Sequence, residues 1–536
     1  MQPRWIDHAI ELIDESEGAH VVLTIVATPQ EQAEPDWAHR LFYAFVRADR
    51  RLFRRSPDPL TKTSILPRMH AVPIVRLAHA NLATEELRSA IAGADLDVLL
   101  CLASLELGRQ VVTDPRYGVW YFPQLMNDMS TGTARPIGFE ATLCGQPVIE
   151  TSLNQLTAAG SKGRAVYAAV SAINKLSPHY TERRLLWTMA TFPARALANM
   201  PRCAPGGDQR GDPGAADSAI VPQRPVVPGN VAMLGIAARL GYRQLKHAAR
   251  IGLYRSEWSV AFRQDPAFGL STLTRPNPAG TYTLIENPPD RFWADPFPVM
   301  AGETNWLFVE EFPHDAGRAH LAVMEIHKDG RVGPSTPVLV RPYHLSYPFV
   351  FAWMGEWYMV PETLANKAVD LYRSVRFPFE WTHVKRLLEG VRAVDATLVE
   401  IDRRWWMFTT IAPFGGSEND ELHIFEASSP LGPWTPHPGN PQTSDVRHSR
   451  PAGRIFALDG AWYRPAQDCS RRYGYALTIN RITEISETRY AEQEVARIDP
   501  VWARDLLGTH TFNHSHGMTF VDADRWRRRW SFGARR

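Results

Sequence analysis

The stretch that decides the fold is Arg291-Phe-Trp-Ala-Asp-Pro-Phe-Pro-Val299, followed by Trp306-Leu-Phe-Val-Glu-Glu311. In it a polar residue opens an apolar run, a short break follows, and a tryptophan begins a second apolar run. The pattern returns four times. Its pairs are Asp295 with Trp306, Tyr347 with Trp357, Asp395 with Trp405, Arg450 with Trp462 and His516 with Trp526, separated by 11, 10, 10, 12 and 10 residues. Successive tryptophans stand 51, 48, 57 and 64 residues apart. A period of about fifty residues built on two short strands and a turn marks a propeller blade and not a helical repeat. Trp357-Tyr-Met-Val360 and Trp405-Trp-Met-Phe408 are aromatic and bulky, as strands prefer. Asp329-Gly330 and Asp459-Gly460 supply turns. A blade cannot bury both of its faces alone, so the copies must stack in a ring. Residues 255–536 are therefore predicted to form an all-β five-bladed β-propeller. Too little chain follows Trp526 to complete a four-stranded sheet, so closure is expected from strands ahead of the first copy, Glu257-Trp-Ser-Val-Ala-Phe262 or Thr281-Tyr-Thr-Leu-Ile285.

A chain of 536 residues is too long for one core and should hold two or three domains. The formal charge of +2, with 22% charged residues, makes no electrostatic case for nucleic acid. No apolar run approaches the ~20 residues a membrane helix needs, so membrane contact is expected to be peripheral at most. The N-terminus lacks a signal peptide's apolar core, and the cysteines at 101, 144, 203 and 469 show no paired spacing; both point to a cytoplasmic protein. Residues 1–198 alternate helical and strand patterns, which favours an α/β fold of the doubly wound, Rossmann type. Residues 199–230 are dense in Pro, Gly and Ala and read as a linker. Residues 231–254 read as a connecting helix with Arg239, Arg243, Lys246 and Arg250 off its apolar face, which either packs on a neighbouring domain or touches anionic lipid.

In a propeller the first strand of each blade lines the channel, so polar heads converge on one mouth. The heads here are Asp295, Tyr347, Asp395, Arg450 and His514 or His516. Polar positions inside the blades add Glu310, Glu311, His344, Glu362, Arg464, Gln467, Asp468 and His510. Carboxylates with arginine and histidine around one concave mouth suit the polarisation of a glycosidic bond, where an acid and a base must face each other. Trp293 beside Asp295 offers a face for a sugar ring, although tryptophans at these positions chiefly fill blades. His510, His514 and His516 alternate along a strand and would share a face. No matched carboxylate or cysteine spacing accompanies them, so neither a metal nor another cofactor is expected.

Asp114-Pro-Arg-Tyr-Gly-Val-Trp-Tyr-Phe-Pro123, Gly138-Phe-Glu-Ala-Thr142 and Pro147-Val-Ile-Glu-Thr-Ser-Leu153 resemble the formyltransferase family that uses 10-formyltetrahydrofolate. That family acts through an asparagine, a histidine and an aspartate. The corresponding positions here are the strand Leu99-Leu-Cys-Leu-Ala-Ser104, Pro123, and Ser161 in Gly160-Ser-Lys-Gly163. A proline side chain neither accepts nor donates a proton, so this formyltransferase-like domain is expected to be degenerate.

Trp293-Ala-Asp-Pro-Phe297, Leu371-Tyr-Arg-Ser374 with Trp381, and Ala427-Ser-Ser-Pro-Leu-Gly-Pro-Trp434 resemble the five-bladed glycosidases of the arabinanase, xylosidase and invertase kind. The resemblance implies that Asp295 is the base or nucleophile and that Asp395 tunes the acid. In the arabinanase type the acid heads blade four, where Arg450 stands. Glu362, in Val360-Pro-Glu-Thr363, is its substitute. Phe292-Trp-Ala-Asp-Pro-Phe297, His344-Leu-Ser-Tyr-Pro-Phe-Val-Phe351, Tyr358-Met-Val-Pro-Glu-Thr363, Arg450-Pro-Ala-Gly-Arg-Ile-Phe456 and Arg464-Pro-Ala-Gln-Asp-Cys469 are similar to the N-terminal propeller of the plant glucosamine inositolphosphorylceramide transferase family and its bacterial relatives. That resemblance implies a glycan or glycolipid context.

The sequence thus predicts a carbohydrate-active protein, for glycosyl transfer or hydrolysis in envelope glycan or glycolipid synthesis. Asp295, Glu362 and Asp395 are the expected catalytic residues. Trp293, Glu311, His344, Tyr347, Arg450, Arg464, Gln467, Asp468 and His510 are the expected contacts to a carbohydrate or glycolipid substrate. The alternatives are a non-catalytic glycan-binding or scaffold module, and a formyltransferase acting on a sugar nucleotide.

Overall fold

The structure, a computed structural model, describes residues 2–16, 18–27, 37–64, 72–77, 85–102, 115–126, 135–156, 163–200, 227–275, 280–327 and 329–529. The chain divides into two compact units: residues 1–245 with 414–416, and residues 246–413 with 417–536. Most of the expected linker, 201–226, lies outside the described residues.

In the first unit, Trp5 and Ala9 of the helix Arg4–Asp14 pack with Leu185, Leu186, Trp187 and Met189 of the helix Pro178–Ala190, and with Trp120, Phe122 and Leu153. The second of these helices starts where its sequence dictates. Ser177 accepts from the Tyr180 amide at 3.0 Å, and Pro178 takes the first turn, where no amide hydrogen bond is lost. Among the described residues the strands do not show the doubly wound sheet expected of residues 1–198. Among the described residues, parallel pairing is confined to Thr24–Ala27 with Ile74–Leu77 and to Leu99–Cys101 with Val119–Tyr121. The longer strands Val148–Leu156 and Arg164–Ala172 form an antiparallel hairpin beside them. An apolar run marks a buried strand without fixing its direction, and the Rossmann-type expectation that rested on such runs finds no support. Pro123 opens the short helix Pro123–Met126. Ser104 and Ser161 lie outside the described residues.

The second unit is built from antiparallel sheets that follow one another along the chain. The first sheet contains Arg291–Ala301, Thr304–Pro313, His320–Glu325 and Thr336–Leu339; the second contains Ser346–Trp353, Glu356–Glu362, Ala368–Arg376 and Glu380–Glu389. The third contains Ala393–Ile401, Arg404–Ile411, Leu422–Ala427 and Thr435–Pro436. The fourth is built on Arg450–Pro451 and Phe456–Leu458, then Ala461–Asp468, Ala476–Ile485 and Tyr490–Ile498. The fifth draws on both ends of the unit. Tyr254–Gln264 pairs along its whole length with Met518–Arg528 and carries Thr283–Leu284 on its other side. Without that partner Met518–Arg528 would present a long unpaired edge, which folded sheets avoid. Trp306, Trp357, Trp405 and Trp462 each lie near the start of a second strand. Phe308, Met359 and Phe408 further along are fully buried, each contributing roughly 1.5–3 kcal/mol.

Each of the first three heads is the extra residue of a bulge. Asp295, Tyr347 and Asp395 have φ of 48°, 47° and 54°, and the register shifts between Ala294 and Phe297, Ser346 and Phe349, and Val394 and Thr397. A bulge with its residue in the left-handed region re-aims that side chain while the strand continues. In the fourth sheet the break is wider, from Pro451 opposite Ala466 to Phe456 opposite Tyr463. Gly453 sits in it at φ 135°, where an added Cβ would stand 2.0 Å from the Phe512 carbonyl oxygen. In the fifth sheet the shift falls between Gly508, opposite Asp524, and Phe512, opposite Val521. The head there is His510, followed by Thr511. This corrects the expectation of His514 or His516: His516 is exposed in the turn between Ser515 and Met518, and its spacing to Trp526 is a coincidence. No helix among the described residues is long and apolar enough to cross a membrane.

Candidate active site

The bulged heads bond to one another across sheets. The Asp295 carboxylate accepts from the Tyr347 amide of the second sheet at 2.9 Å and from the Thr511 hydroxyl of the fifth at 2.6 Å. The Tyr347 hydroxyl lies 2.7 Å from that of Thr397 in the third sheet and accepts from the Gly453 amide of the fourth at 2.7 Å. Asp395 accepts from Arg450 Nε at 2.6 Å and Gln467 Nε2 at 2.9 Å. A left-handed tyrosine is strained on its own; here its hydroxyl bonds recover part of that strain. The structure thus brings Asp295, Tyr347, Asp395, Arg450 and Gln467 together.

His510 joins this group. Its Nε2 lies 3.5 Å from Asp295 Oδ1 and its Nδ1 2.6 Å from Asp522 Oδ2, and the ring stacks on Trp258 at a centroid distance of 3.9 Å. The amides of His510 and Thr511 donate to the other Asp522 oxygen at 2.8 and 3.1 Å, which fixes the loop. Burial works against charge on the ring, but Asp522 and Asp295 push its pKa up to about 9. Asp295, His510 and Asp522 each place a ligand atom within 4.8 Å of the others, a spacing open to a metal ion. Both imidazole nitrogens already face carboxylates, so a metal would have to replace a proton that the site stabilises.

The second strands bring further acids. Glu310 stands opposite Ala294, and Glu362 opposite Ser346, each beside a bulge. Burial, then the charges of Asp295 and Glu362, push the Glu310 carboxyl well above the usual carboxylate range. His344 Nδ1 accepts from the Ala319 amide at 3.2 Å, which leaves the proton on Nε2, 3.4 Å from Glu310 Oε1. Glu362 accepts from Ser346 Oγ at 2.8 Å and the Leu364 amide at 2.7 Å. Burial and then Asp395 raise its pKa to about 7, against the pull of Ser346 and Arg450. Asp295 is also raised by burial, with His510 opposing. Tyr473, 44% exposed, lies over Arg450 at 4.8 Å and meets the His510 ring edge-on at 5.3 Å. With the half-exposed His344, it marks where the group meets solvent.

Other expected contacts lie elsewhere. Glu311 alternates with Glu310 and faces away: it accepts from Arg291, Trp293 Nε1, Ser335 and His320 at 2.8, 2.8, 2.6 and 3.1 Å. These donors hold its pKa down to about 2 against the effect of burial. Trp293 is 5% exposed within a core of Val260, Phe262 and Leu307, so its face is not offered to a sugar. Arg464 is committed to Glu492 and the His448 carbonyl. Asp468 pairs with Arg497. His514 stacks on Phe268 at 3.9 Å, so the three histidines go to three places. Sequence reasoning missed Asp522 and Tyr473 and chose Glu311 over Glu310. An acid inside the apolar run Phe520-Val-Asp-Ala523 was a signal for Asp522; Tyr473, in a loop, had none.

Residues 276–504 match the family described as glucosamine inositolphosphorylceramide transferase 1, N-terminal. The chain is 36% identical over 244 residues to the glucosamine inositolphosphorylceramide transferase 1 of Oryza sativa subsp. japonica, covering 45% of this chain and 31% of that protein. It is 36% identical over 225 residues to the protein of that name in Arabidopsis thaliana, covering 41% and 29%. The matched part thus spans about a third of the length of these curated relatives. Among solved structures the chain is similar to Zg3597, a family 117 glycoside hydrolase of Zobellia galactanivorans, with a TM-score of 0.34, 10% identity and coverage of 50% and 90%. It is also similar to the β-xylosidase RS223, with a TM-score of 0.33, 12% identity and coverage of 44% and 93%. The family match lies wholly outside residues 1–198, so the formyltransferase resemblance gains no support.

Proposed function

We propose that the sheets of the second unit are the blades of a five-bladed propeller and that the acids at their centre form a carbohydrate-active site, which transfers or hydrolyses a glycosyl group on a glycan or glycolipid. The relatives' name supports the substrate class. The observation that carries the chemistry is the separation of protonation within one group. Glu310 and Glu362 are raised by burial and like charge, Glu362 to about 7. Asp295 lies 3.5 Å from His510, whose imidazolium is favoured up to about pH 9. Burial raises all three, Asp295 included, but the neighbouring His510 opposes the rise at Asp295, and carboxyl groups that differ in this way can serve as proton donor and base. In this reading Glu362, or its counterpart Glu310, protonates the leaving oxygen, and Asp295 acts as base or nucleophile. Arg450 and Gln467 hold Asp395 beside them.

One observation favours a binding-only reading. Both Asp295 oxygens already accept hydrogen bonds from the protein, and the residue is 4% exposed. Asp295→Asn separates the two. Wild type and variant are screened for turnover of aryl glycosides and nucleotide sugars, with glycan binding measured alongside. The enzyme reading expects wild-type turnover and a loss of about 10²-fold or more in the variant, as for a positioned base. Full activity in the variant removes Asp295 from the chemistry, and tight binding without turnover in the wild type establishes the binding module.

A further inference from the structure

The helix Asn230–Leu253 carries a surface that the acid cluster does not use. Its 24 residues span about 36 Å at 1.5 Å per residue. One face is buried: Met233 and Leu240 pack with Phe42, Phe139 and Leu143, and Gln244 donates to the Leu176 carbonyl at 2.8 Å. The opposite face is apolar and open to solvent. Val231, Leu234, Tyr242, Leu245 and Leu253 are 85, 62, 65, 70 and 59% exposed. At 3.6 residues per turn they fall, with Ala238 and Ala249, on one stripe. Along a single edge of that stripe run Arg239, Arg243, Lys246 and Arg250, spaced by four, three and four residues. No aspartate or glutamate occurs anywhere in the helix.

An open apolar stripe of this extent marks an interaction surface. A second copy or a protein groove could cover the apolar part, but it would have to set carboxylates opposite the basic edge. An anionic lipid surface satisfies both at once. The stripe enters the boundary of the acyl region, while the long basic side chains reach up to the headgroups. Arg243 is already partly used, donating to the Thr142 and Leu143 carbonyls at 2.9 and 3.1 Å, and the Arg250 guanidinium stands 5.6 Å over the Trp526 ring, which leaves Arg239 and Lys246 for the lipid. We propose that this helix lies in the plane of an anionic membrane surface and docks the protein there.

Flotation of the full chain with two kinds of vesicle tests this: phosphatidylcholine alone, and phosphatidylcholine with phosphatidylglycerol in equal parts. The expected result is binding to the anionic vesicles only, weakened by added salt. A basic residue near an anionic surface contributes roughly fivefold in partitioning, so Arg239→Gln with Lys246→Gln should reduce binding roughly twenty-five-fold. Leu234→Glu with Leu245→Glu should abolish it. All four positions are on the surface, and unchanged thermal midpoints would show that the variants fold. Wild type that ignores anionic vesicles, or variants that float as well as wild type, overturn the proposal. So does a dimer in solution that the Leu234→Glu, Leu245→Glu variant splits while wild type leaves vesicles alone.

Discussion

Replacing Glu362 by glutamine tests the electrostatics of the acid group directly. The carboxyl is 7% exposed and raised from 4.5 to about 7, by burial first and then by Asp395. A group that holds its proton more tightly folded than unfolded favours the folded state fully below pH 4.5. That contribution is lost as the pH rises to about 7. At ~1.4 kcal/mol per pH unit, the wild type gives up on the order of 3 kcal/mol across this window. Glutamine is the neutral isostere and has no such proton to lose. Its carbonyl oxygen can keep the Leu364 amide bond of 2.7 Å, and its amino group can donate to the Ser346 hydroxyl, now 2.8 Å away. Glu362→Gln should therefore match wild type at pH 4.5 and exceed it by on the order of 3 kcal/mol above pH 7. Urea midpoints taken in steps from pH 4.5 to 8 would show this. Parallel pH profiles for the two proteins, or a variant that weakens relative to wild type as the pH rises, would refute the reasoning. The same substitution should abolish turnover if Glu362 is the acid, so activity and stability move in opposite directions.

Arg450→Met removes the guanidinium 2.6 Å from Asp395 and leaves a buried carboxylate with only Gln467 for support. A loss of about 3–5 kcal/mol is expected in chemical denaturation, partly recovered by adding Asp395→Asn; a wild-type midpoint in the single variant would show that the pair does not support the centre. His510 is raised from 6.5 to about 9, so its contribution is full below pH 6.5 and is lost on the way to pH 9. Wild type should lose on the order of 3 kcal/mol there while His510→Gln shows no such decline, in a window above that of Glu362.

The repeat of heads and tryptophans was legible because a sheet that buries both faces needs bulky residues at a regular spacing, and that spacing survives in the sequence. Asp295 and Asp395 were legible with it, since equivalent positions in a repeat go to equivalent places. The errors lie one or a few residues away. Glu310 and Glu311 face opposite sides of one strand, and a one-residue change of register exchanges them. The strand alternates without a break from Trp306 to Glu311, and it is the pairing of Glu310 with Ala294, beside the Asp295 bulge, that shows which of the two joins the acid group. The fifth head failed on register too: the register break falls at His510, six residues before the histidine that has the right distance to Trp526. Protonation was beyond the sequence in a stronger sense. Asp295, Glu310, Glu362 and Asp522 come from strands more than two hundred residues apart in the chain at the extremes. Burial and then the charge of Asp395 raise Glu362 to about 7, while Asp522 and Asp295 raise His510 to about 9 against the effect of burial. No local pattern encodes that sum, and the proposed division of protons between an acid and a base depends on it.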